Sequence, residues 1–324
     1  MTKLIVMVGL PASFKSTYAK QLAKEHNATI LSSDDIREEL LNDVNNQDNN
    51  SKVFEVMNKR AKQLLQKGNN VILDATNINR KRRKHLINHE LKMADEKIVY
   101  YMNTHVDDCV ESDLNRDRSV GKEVIMKMYK SMQIPVKNEG WDEVVIINPE
   151  MNEAHEERKT LENIITQNKN YETVMSTLSH YMNDFKKIHE LPHDSKYHSF
   201  SVSRHTYHVF DYIRDRTDDL RLLWAALFHD VGKGYTKSFI NYKGEKTRYA
   251  SFLGHENISA QIALYALLEL GYDTEFATRV SALCQFHMYL MSAGDKKMNE
   301  IQEMLGNDLY EDLMILHWAD MQAK

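Results

Sequence analysis

The stretch "GLPASFKST", Gly9–Thr17, follows the apolar run "LIVMV" (4–8) and leads into "STYAKQLAKEH". A strand, a turn opened by glycine and a helix begun by Lys-Ser form the arrangement in which backbone N–H groups converge on a phosphate. The helix dipole favours the same negative charge. In the phosphate-loop pattern G-x-x-x-x-G-K-[ST] the lysine, here Lys15, reaches the β- and γ-phosphates, and the hydroxyl of Ser16 holds Mg2+. One position departs from it: the residue before Lys15 is Phe14, not glycine. If that position requires φ > 0, a side chain there costs about 1–2 kcal/mol. A ring turned away from the phosphates leaves the cradle usable; one turned inward narrows it.

Outward from this loop, strand-like runs recur as "ATIL" (28–31), "VIL" (71–73), "IVYYM" (98–102) and "VVII" (144–147), with helical stretches such as "SKVFEVMNKRAKQLLQK" between them. Short buried strands alternating with helices predict an α/β domain over residues 1–150, a parallel sheet flanked by helices. Residues 151–170 are charged and Asn-rich and read as a linker or a solvated helix. From 171 to 324 the pattern turns nearly all helical ("WAALFHDVGK", "NISAQIALYALLELG", "ATRVSALCQFHMYLM"), which predicts an all-α second domain.

Bulk composition is compatible with this division. A chain of 324 residues has room for two cores, and 42% hydrophobic with 27% charged residues is ordinary for a globular protein. Cys109 and Cys284 lie far apart and read as buried thiols in a reducing compartment. No apolar run approaches the roughly 18 residues of a membrane span and no signal peptide is apparent, so the expectation is the cytoplasm with no membrane partner. The net charge of −5 makes no global case for nucleic-acid binding. Residues 1–150, however, carry 23 Lys/Arg against 22 Asp/Glu, and the remainder 19 against 25, so polyanion contact is expected in the first part.

Further motifs fall at strand ends, where open α/β sheets bind ligands. "SSDDIR" (32–37) follows the second strand and "LDATNINRKRR" (73–83) the third. Acids there serve as a Mg2+ ligand or as the base for an acceptor hydroxyl; Asp34 and Asp35 read equally as a helix N-cap and a first-turn acid. The run Arg80–Lys84 reads either as a solvated helix face or as a phosphate-tracking surface. In "LNRDRSVGK" (114–122), Arg116 and Arg118 are placed to close over a nucleotide as a lid.

Together "GLPASFKST", "DDIR", "DATN", the arginines at 116 and 118 and "MYKSM" (128–132) resemble the polynucleotide 5′-kinase branch of the P-loop kinases, over most of residues 1–150. The resemblance implies that ATP with Mg2+ donates its γ-phosphate to the 5′-OH of RNA or DNA. It implies a nucleotide site made of Gly9, Ser13, Phe14, Lys15, Ser16, Thr17 and Arg118. Asp34 becomes the general base, with Asp35 as its fallback, and Arg37 the contact to the acceptor-side phosphate. Thr76, Asn77 and Arg80 lie along the acceptor strand.

In the helical half, "RHT" (204–206), "FHDVGK" (228–233), "GHE" (254–256), "FHM" (286–288) and "WAD" (318–320) contribute His205, His229, Asp230, His255, His287 and Asp320. A lone histidine on an apolar helix is usually a hydrogen-bonded core residue. Six such residues in five helical segments instead suit a divalent transition metal: Mn, Fe, Ni, Co or Zn. The order H…HD…H…H…D resembles the HD phosphohydrolase superfamily over about 180–324. That implies one metal on His205, His229, Asp230 and Asp320. With His255 and His287 it resembles the dinuclear subset, in which Asp230 bridges two ions. Lys233, four residues past His229, becomes a contact to substrate phosphate; His198 in "KYHSFS" (196–201) reads as a further phosphate contact or equally as a surface histidine, and His208, three residues beyond His205, as a structural residue.

The combination resembles an end-healing polynucleotide kinase–phosphatase. Such an enzyme phosphorylates 5′-OH ends, clears 3′-phosphate or 2′,3′-cyclic phosphate, and hands RNA or DNA ends to a separate RNA ligase, since no K-x-D-G ligase motif occurs here. The rival reading is a nucleotide-gated hydrolase of small or cyclic nucleotides with an impaired kinase domain. A non-catalytic nucleotide sensor is a third, against which the six potential ligands weigh.

Overall fold

The computed structural model describes residues 1–42, 49–116, 118–148, 155–195, 199–241, 243–292 and 294–323. The chain divides into two compact units, Met1–Pro149 and Glu150–Lys324. The first contains, in order, β1 (Lys3–Val8), α1 (Lys15–Glu25), β2 (Ala28–Ser32), α2 (Ser33–Leu41), α3 (Asn50–Gln66), β3 (Asn70–Asp74), α4 (Arg80–His85), β4 (Glu96–Met102), α5 (Val106–Leu114), α6 (Lys122–Ser131) and β5 (Glu143–Ile147).

The five strands form one parallel sheet in the order β2-β3-β1-β4-β5. β1 is central: Val6 pairs with Leu73 on one side and Val99 on the other. Leu4 to Val8 are all 0% exposed, which is why β1 reads as an unbroken apolar run rather than an alternating one. Ala19 and Leu22 of α1 pack on Ile5, Met7, Ile72 and Ile98. Because the connections after β1, β2 and β3 leave from the same edge of the sheet, the phosphate loop, "SDDIR" and "DATN" meet there.

Two local devices shape that edge. The Ser32 hydroxyl caps α2 by accepting from the backbone N–H groups of Asp34 (3.2 Å) and Asp35 (3.3 Å). Both acids therefore sit in the first turn and neither is the N-cap. The second device splits the basic run 80–84. Glu139, 0% exposed at its side chain, binds Arg80 Nε (3.1 Å) and an Arg83 guanidinium nitrogen (2.7 Å) and accepts from Trp141 Nε1 (3.1 Å). Lys81 and Arg82 remain exposed.

The second unit contains α7 (His155–Thr166), α8 (Tyr171–Tyr181), α9 (Asn183–Ile188), α10 (Val202–Arg214), α11 (Leu220–Phe228), α12 (Lys233–Thr236), β6 (Ser238–Ile240), β7 (Lys246–Ser251), α13 (His255–Glu269), α14 (Thr274–Phe286), α15 (Asp295–Leu305) and α16 (Asn307–Gln322). Among its described residues the strands are those of the antiparallel hairpin β6–β7, which the sequence reading did not anticipate. The expected linker over 151–170 is corrected where it is described. Within it α7 buries Leu161 and Ile165 completely, and Arg158 donates to the Gly271 carbonyl (3.0 Å), so the segment is part of this unit's core. α11 is buried from Leu222 to Phe228 and packs against α10, α13, α14 and α16, which places the His-Asp pair at its C-terminal end inside the unit. Both cysteines are buried. No helix among the described residues is long and apolar enough to cross a membrane.

Candidate active sites

The loop after β1 is a phosphate cradle closed on itself. Gly9 is there for space: a Cβ would lie 2.7 Å from Ser13 Oγ and 3.0 Å from Met102 Cβ. Ala12 (φ 59°) and Phe14 (φ 64°, ψ 13°) both occupy the left-handed region, so position 14 does demand the conformation that glycine adopts freely. The Phe14 ring is 54% exposed and lines the cleft. Lys15 is buried, and its Nζ donates to the Leu10 carbonyl, with Ser13 Oγ 3.4 Å away. Burial pushes its pKa down to about 8, with Asp74 opposing. Asp74, at the end of β3, is 8% exposed and hydrogen-bonded by Ser16; burial raises its pKa against that bond and against Lys15. The sequence reading included Asp74 only among the strand-end acids, through "LDATN", and gave it no role of its own.

Beside the cradle, Asp34 accepts from Arg37 (2.7 Å) on one carboxylate oxygen and from Arg118 (2.9 Å) on the other. Arg37 also donates to Asn50 Oδ1 (2.8 Å). The loop carrying Arg118 is organised by Asp113, which is 1% exposed and accepts from Ser119 Oγ (2.6 Å) and the Gly121 N–H (2.9 Å). Its carboxyl lies below the usual range: burial alone would raise it, and these bonds outweigh burial. A cleft of about 1170 Å³ joins these groups to α3 and α4. Its wall includes Ser13, Phe14, Lys15, Ser16, Thr17, Asp34, Arg37, Thr76, Arg116 and Arg118, and then Phe54, Met57, Asn58, Lys81 and Arg82.

One expected acceptor contact is corrected, and a second has a further bond. Arg80 is 7% exposed, is absent from the cleft wall, and is held by Glu139 and the Ile134 carbonyl (3.1 Å). Neutralised by Glu139 and set off the cleft wall, this guanidinium is not presented to a phosphate in the cleft. Asn77 lines the cleft, but with φ 45° its amide nitrogen donates to the Met7 carbonyl (2.8 Å), tying the end of β3 back to β1. Neighbouring Thr76 faces the cleft while its carbonyl accepts the Gly9 N–H (3.2 Å).

In the second unit the six expected ligands converge. His205, His229, Asp230, His255, His287 and Asp320 are each no more than 4% exposed. Two groups, His205–His229–Asp230 and Asp230–His255–His287, each bring their donor atoms within 4.8 Å of one another, and both use Asp230. Asp320 Oδ1 lies 3.0 Å from His205 Nε2.

The histidines share one orientation. Nδ1 of His229 faces the Ala226 carbonyl (2.7 Å), that of His255 the Phe252 carbonyl (2.8 Å), that of His287 the Cys284 carbonyl (2.7 Å) and that of His205 the Ala323 carbonyl (3.0 Å). A carbonyl only accepts, so each Nδ1 carries a proton and each ring turns its Nε2 inward. Gly232 permits the close approach of α13: a Cβ there would lie 2.2 Å from the His255 carbonyl oxygen.

This arrangement suits a cation. The Nε2 atoms of His255 and His287 face each other at 3.2 Å, and His229 Nε2 and Asp230 Oδ1 are buried without a hydrogen bond among the described residues. Burial, with His255 and His229 nearby, pushes His287 down to about 3, so its ring is a neutral donor. Burial alone would raise Asp230, but Lys233 and His229 hold it well below the usual carboxylate range. Two carboxylates among imidazole nitrogens form a donor set for a first-row divalent metal.

Lys233 Nζ lies 2.6 Å from Asp230 Oδ2 and 3.1 Å from Nε2 of His193, which is 2% exposed. His193 is a site residue that sequence reasoning missed; as a single histidine in "ELPHDS" it carried no spacing signal. With Lys233, His255, His287 and Asp320 it lines a cavity of about 400 Å³. His208 packs on Phe200 (4.6 Å between ring centroids) and belongs to neither ligand group. His198 lies outside the described residues.

Comparison with known proteins gives two family matches, an AAA domain over residues 4–135 and an HD domain over 196–321. The chain is 30% identical over 129 residues to the A-adding tRNA nucleotidyltransferase of Deinococcus radiodurans, covering 39% of this chain and 29% of that protein. It is 28% identical over 144 residues to the L-seryl-tRNA(Sec) kinase of Methanococcus maripaludis, covering 43% and 56%. The chain thus spans between about a third and just over half of these relatives. A chain in the structure of the Pnkp1/Rnl/Hen1 complex is 23% identical, with a TM-score of 0.32, over 34% of this chain and 38% of that one.

Proposed function

We propose that this chain, a P-loop kinase-like domain joined to an HD domain, heals nucleic-acid ends. In this reading the first unit phosphorylates a 5′-OH and the second clears a 3′-phosphate or 2′,3′-cyclic phosphate. The observation that carries it is the single cleft in which the phosphate loop and Asp34 share a wall with Lys81 and Arg82 of α4. A donor cradle, a carboxylate and a cationic strip suited to a phosphodiester backbone are the parts that 5′-phosphoryl transfer requires. Relatives named for work on tRNA favour RNA as the substrate.

The arginine pairs of Asp34 suggest how the kinase is kept in order. With both oxygens held by guanidinium groups, Asp34 has neither one turned to an acceptor hydroxyl. ATP phosphates draw Lys15 off the Leu10 carbonyl and Arg118 off Asp34. The freed oxygen then faces the incoming 5′-OH, while Arg37 meets the acceptor-side phosphate. Mg2+ with ATP supplies charge at the β- and γ-oxygens; Ser16 is placed to hold it, and Asp74 to orient Ser16.

In the second unit, His205, His229, Asp230 and Asp320 would hold one divalent metal and Asp230, His255 and His287 a second. Metal bound there supplies positive charge against phosphoryl oxygens. Lys233, already beside Asp230, would give its third N–H to a substrate phosphate, and His193 positions it.

The test is to incubate the full chain with γ-labelled ATP and 5′-OH RNA and, separately, with 3′-phosphorylated RNA and Mn2+ or Ni2+. Label on the RNA together with metal-dependent phosphate release is the expected result. Phosphate release without label would favour a nucleotide-gated hydrolase. Failure to bind any divalent transition metal would overturn the hydrolase assignment in both forms.

A further inference from the structure

We propose that the hairpin β6–β7 is a docking ridge for a single-stranded polynucleotide whose 3′ end enters the metal cavity. This rests on reading the second unit as a 3′-end phosphohydrolase. Phe239, Ile240, Tyr249 and Leu253 are 45%, 50%, 42% and 60% exposed. A two-stranded hairpin gains no core from side chains turned outward, and so dense an apolar display on the hairpin and the turn that follows it marks a contact surface.

The register explains the display. Ser238 pairs with Ser251 and Ile240 with Lys246, so Thr247–Ala250 bulge out opposite Phe239 alone. A bulge re-aims the side chains it carries. Here it presents Tyr249 with the Arg248 guanidinium 5.4 Å from its ring, while Lys237 Nζ lies 5.9 Å from the Phe239 ring. Aromatic faces interleaved with cations are what single-strand binders use: rings stack on bases and cations follow the backbone.

Charge selects the occupant. Residues 237–253 hold Lys237, Lys243, Lys246 and Arg248 against Glu245 alone, inside a half of the chain with 19 Lys/Arg to 25 Asp/Glu. Lys237 is paired with Asp194 (2.6 Å), whereas Lys246 and Arg248 make no ion pair among the described residues. Lysines alone would be explained as guards of an exposed strand edge; exposed aromatics beside them are not. The ridge also leads to the chemistry. Ala250, Ser251, Phe252 and Leu253 line the metal cavity, and His255 lies six residues beyond Tyr249, at most about 20 Å of chain.

The experiment compares the wild-type chain with Phe239→Ala/Tyr249→Ala and Lys246→Glu/Arg248→Glu on two substrates, a 3′-phosphorylated oligouridylate of twelve nucleotides and 3′-UMP. The expected result is a KM for the oligonucleotide raised about tenfold or more in either variant, with 3′-UMP turnover unchanged. An unchanged KM, or an equal fall in kcat on both substrates, overturns the ridge. If the wild-type chain hydrolyses only 3′-UMP, the end-healing reading fails. The ridge is then judged by photo-crosslinking a 4-thiouridine oligonucleotide: adducts on Phe239 or Tyr249 support it, and adducts only elsewhere overturn it.

Discussion

The two candidate sites are built in opposite ways. In the second unit every candidate ligand is buried, each imidazole is fixed through Nδ1 by a main-chain carbonyl, and the donor atoms already converge. In the first unit the working groups satisfy one another: Lys15 rests on the Leu10 carbonyl, and Asp34 lies between Arg37 and Arg118. A metal site gains from rigidity because its ligand set hardly changes on binding. A kinase site instead has charges to hide before its nucleotide arrives, and pairing them internally does so. The difference teaches that a preformed site fails when a ligand is lost, whereas a self-paired site fails when its pairs cannot be exchanged.

The largest expected effect comes from Asp230→Asn, which replaces the charged carboxylate common to both groups by a neutral amide. Metal affinity should fall by at least about 100-fold and phosphohydrolase activity to background. Phosphoryl transfer by the first unit should be unchanged. Metal content of the purified protein and both activity assays check this, and loss of both activities would break the comparison.

Next in size is Glu139→Ala, which strands Arg80 and Arg83 inside the first unit. Breaking one partner of a buried ion cluster costs about 3–5 kcal/mol, and hydrogen exchange should locate that loss in residues 1–149. Burial alone would raise the Glu139 carboxyl, but Arg83 and Arg80 hold it below its ordinary value. A depressed folded-state pKa means the contribution is complete above the unfolded carboxylate range, around pH 4.3, and is lost as pH falls toward the folded value. Acid should therefore loosen this cluster in the wild type and do less in the variant.

Lys15 sharpens the contrast through pH. At about 8, its pKa in the free site is low because of burial, and triphosphate beside it favours the charged form. Nucleotide binding near pH 8.5 should take up protons, seen by calorimetry in buffers of different ionisation enthalpy, and affinity should weaken as pH rises through 8. A Lys15 that stays fully charged would show neither.

The smallest effect belongs to Phe14→Gly. Relief of about 1–2 kcal/mol of left-handed strain is offset in part by the backbone freedom glycine adds, about 0.5–1 kcal/mol. Kinase turnover should rise or the ATP KM fall by less than about tenfold, with hydrolase activity constant. A weaker kinase would show that the exposed ring is a working part of the donor site.

What the sequence made legible follows from the range of the interactions. The five strands were readable because a sheet covered on both faces writes itself as apolar runs, and the six ligands because adjacent His-Asp in an apolar helix is costly without a cation. The roles of Arg80 and Arg83 were hidden because their partner Glu139 lies 59 and 56 residues away. His193 carried no signal until folding set it against Lys233. The inward bond of Asn77 was hidden for a related reason, since its amide reaches 70 residues back to Met7, and a motif does not say which of its polar groups face inward. α7 looked solvated because its buried stripe is only Leu161 and Ile165 among charges.

The orientation of the histidines carries one further consequence, for the order of assembly. His229, His255 and His287 each bond a carbonyl three residues earlier, so their aim is settled locally as each helical segment forms. His205 is aimed by the Ala323 carbonyl, 118 residues away, and faces Asp320 on α16. Closing so long a loop is slow compared with forming local contacts. Full chelation should therefore be the last event of folding in this unit, and the appearance of tight metal binding during refolding would time the docking of α16.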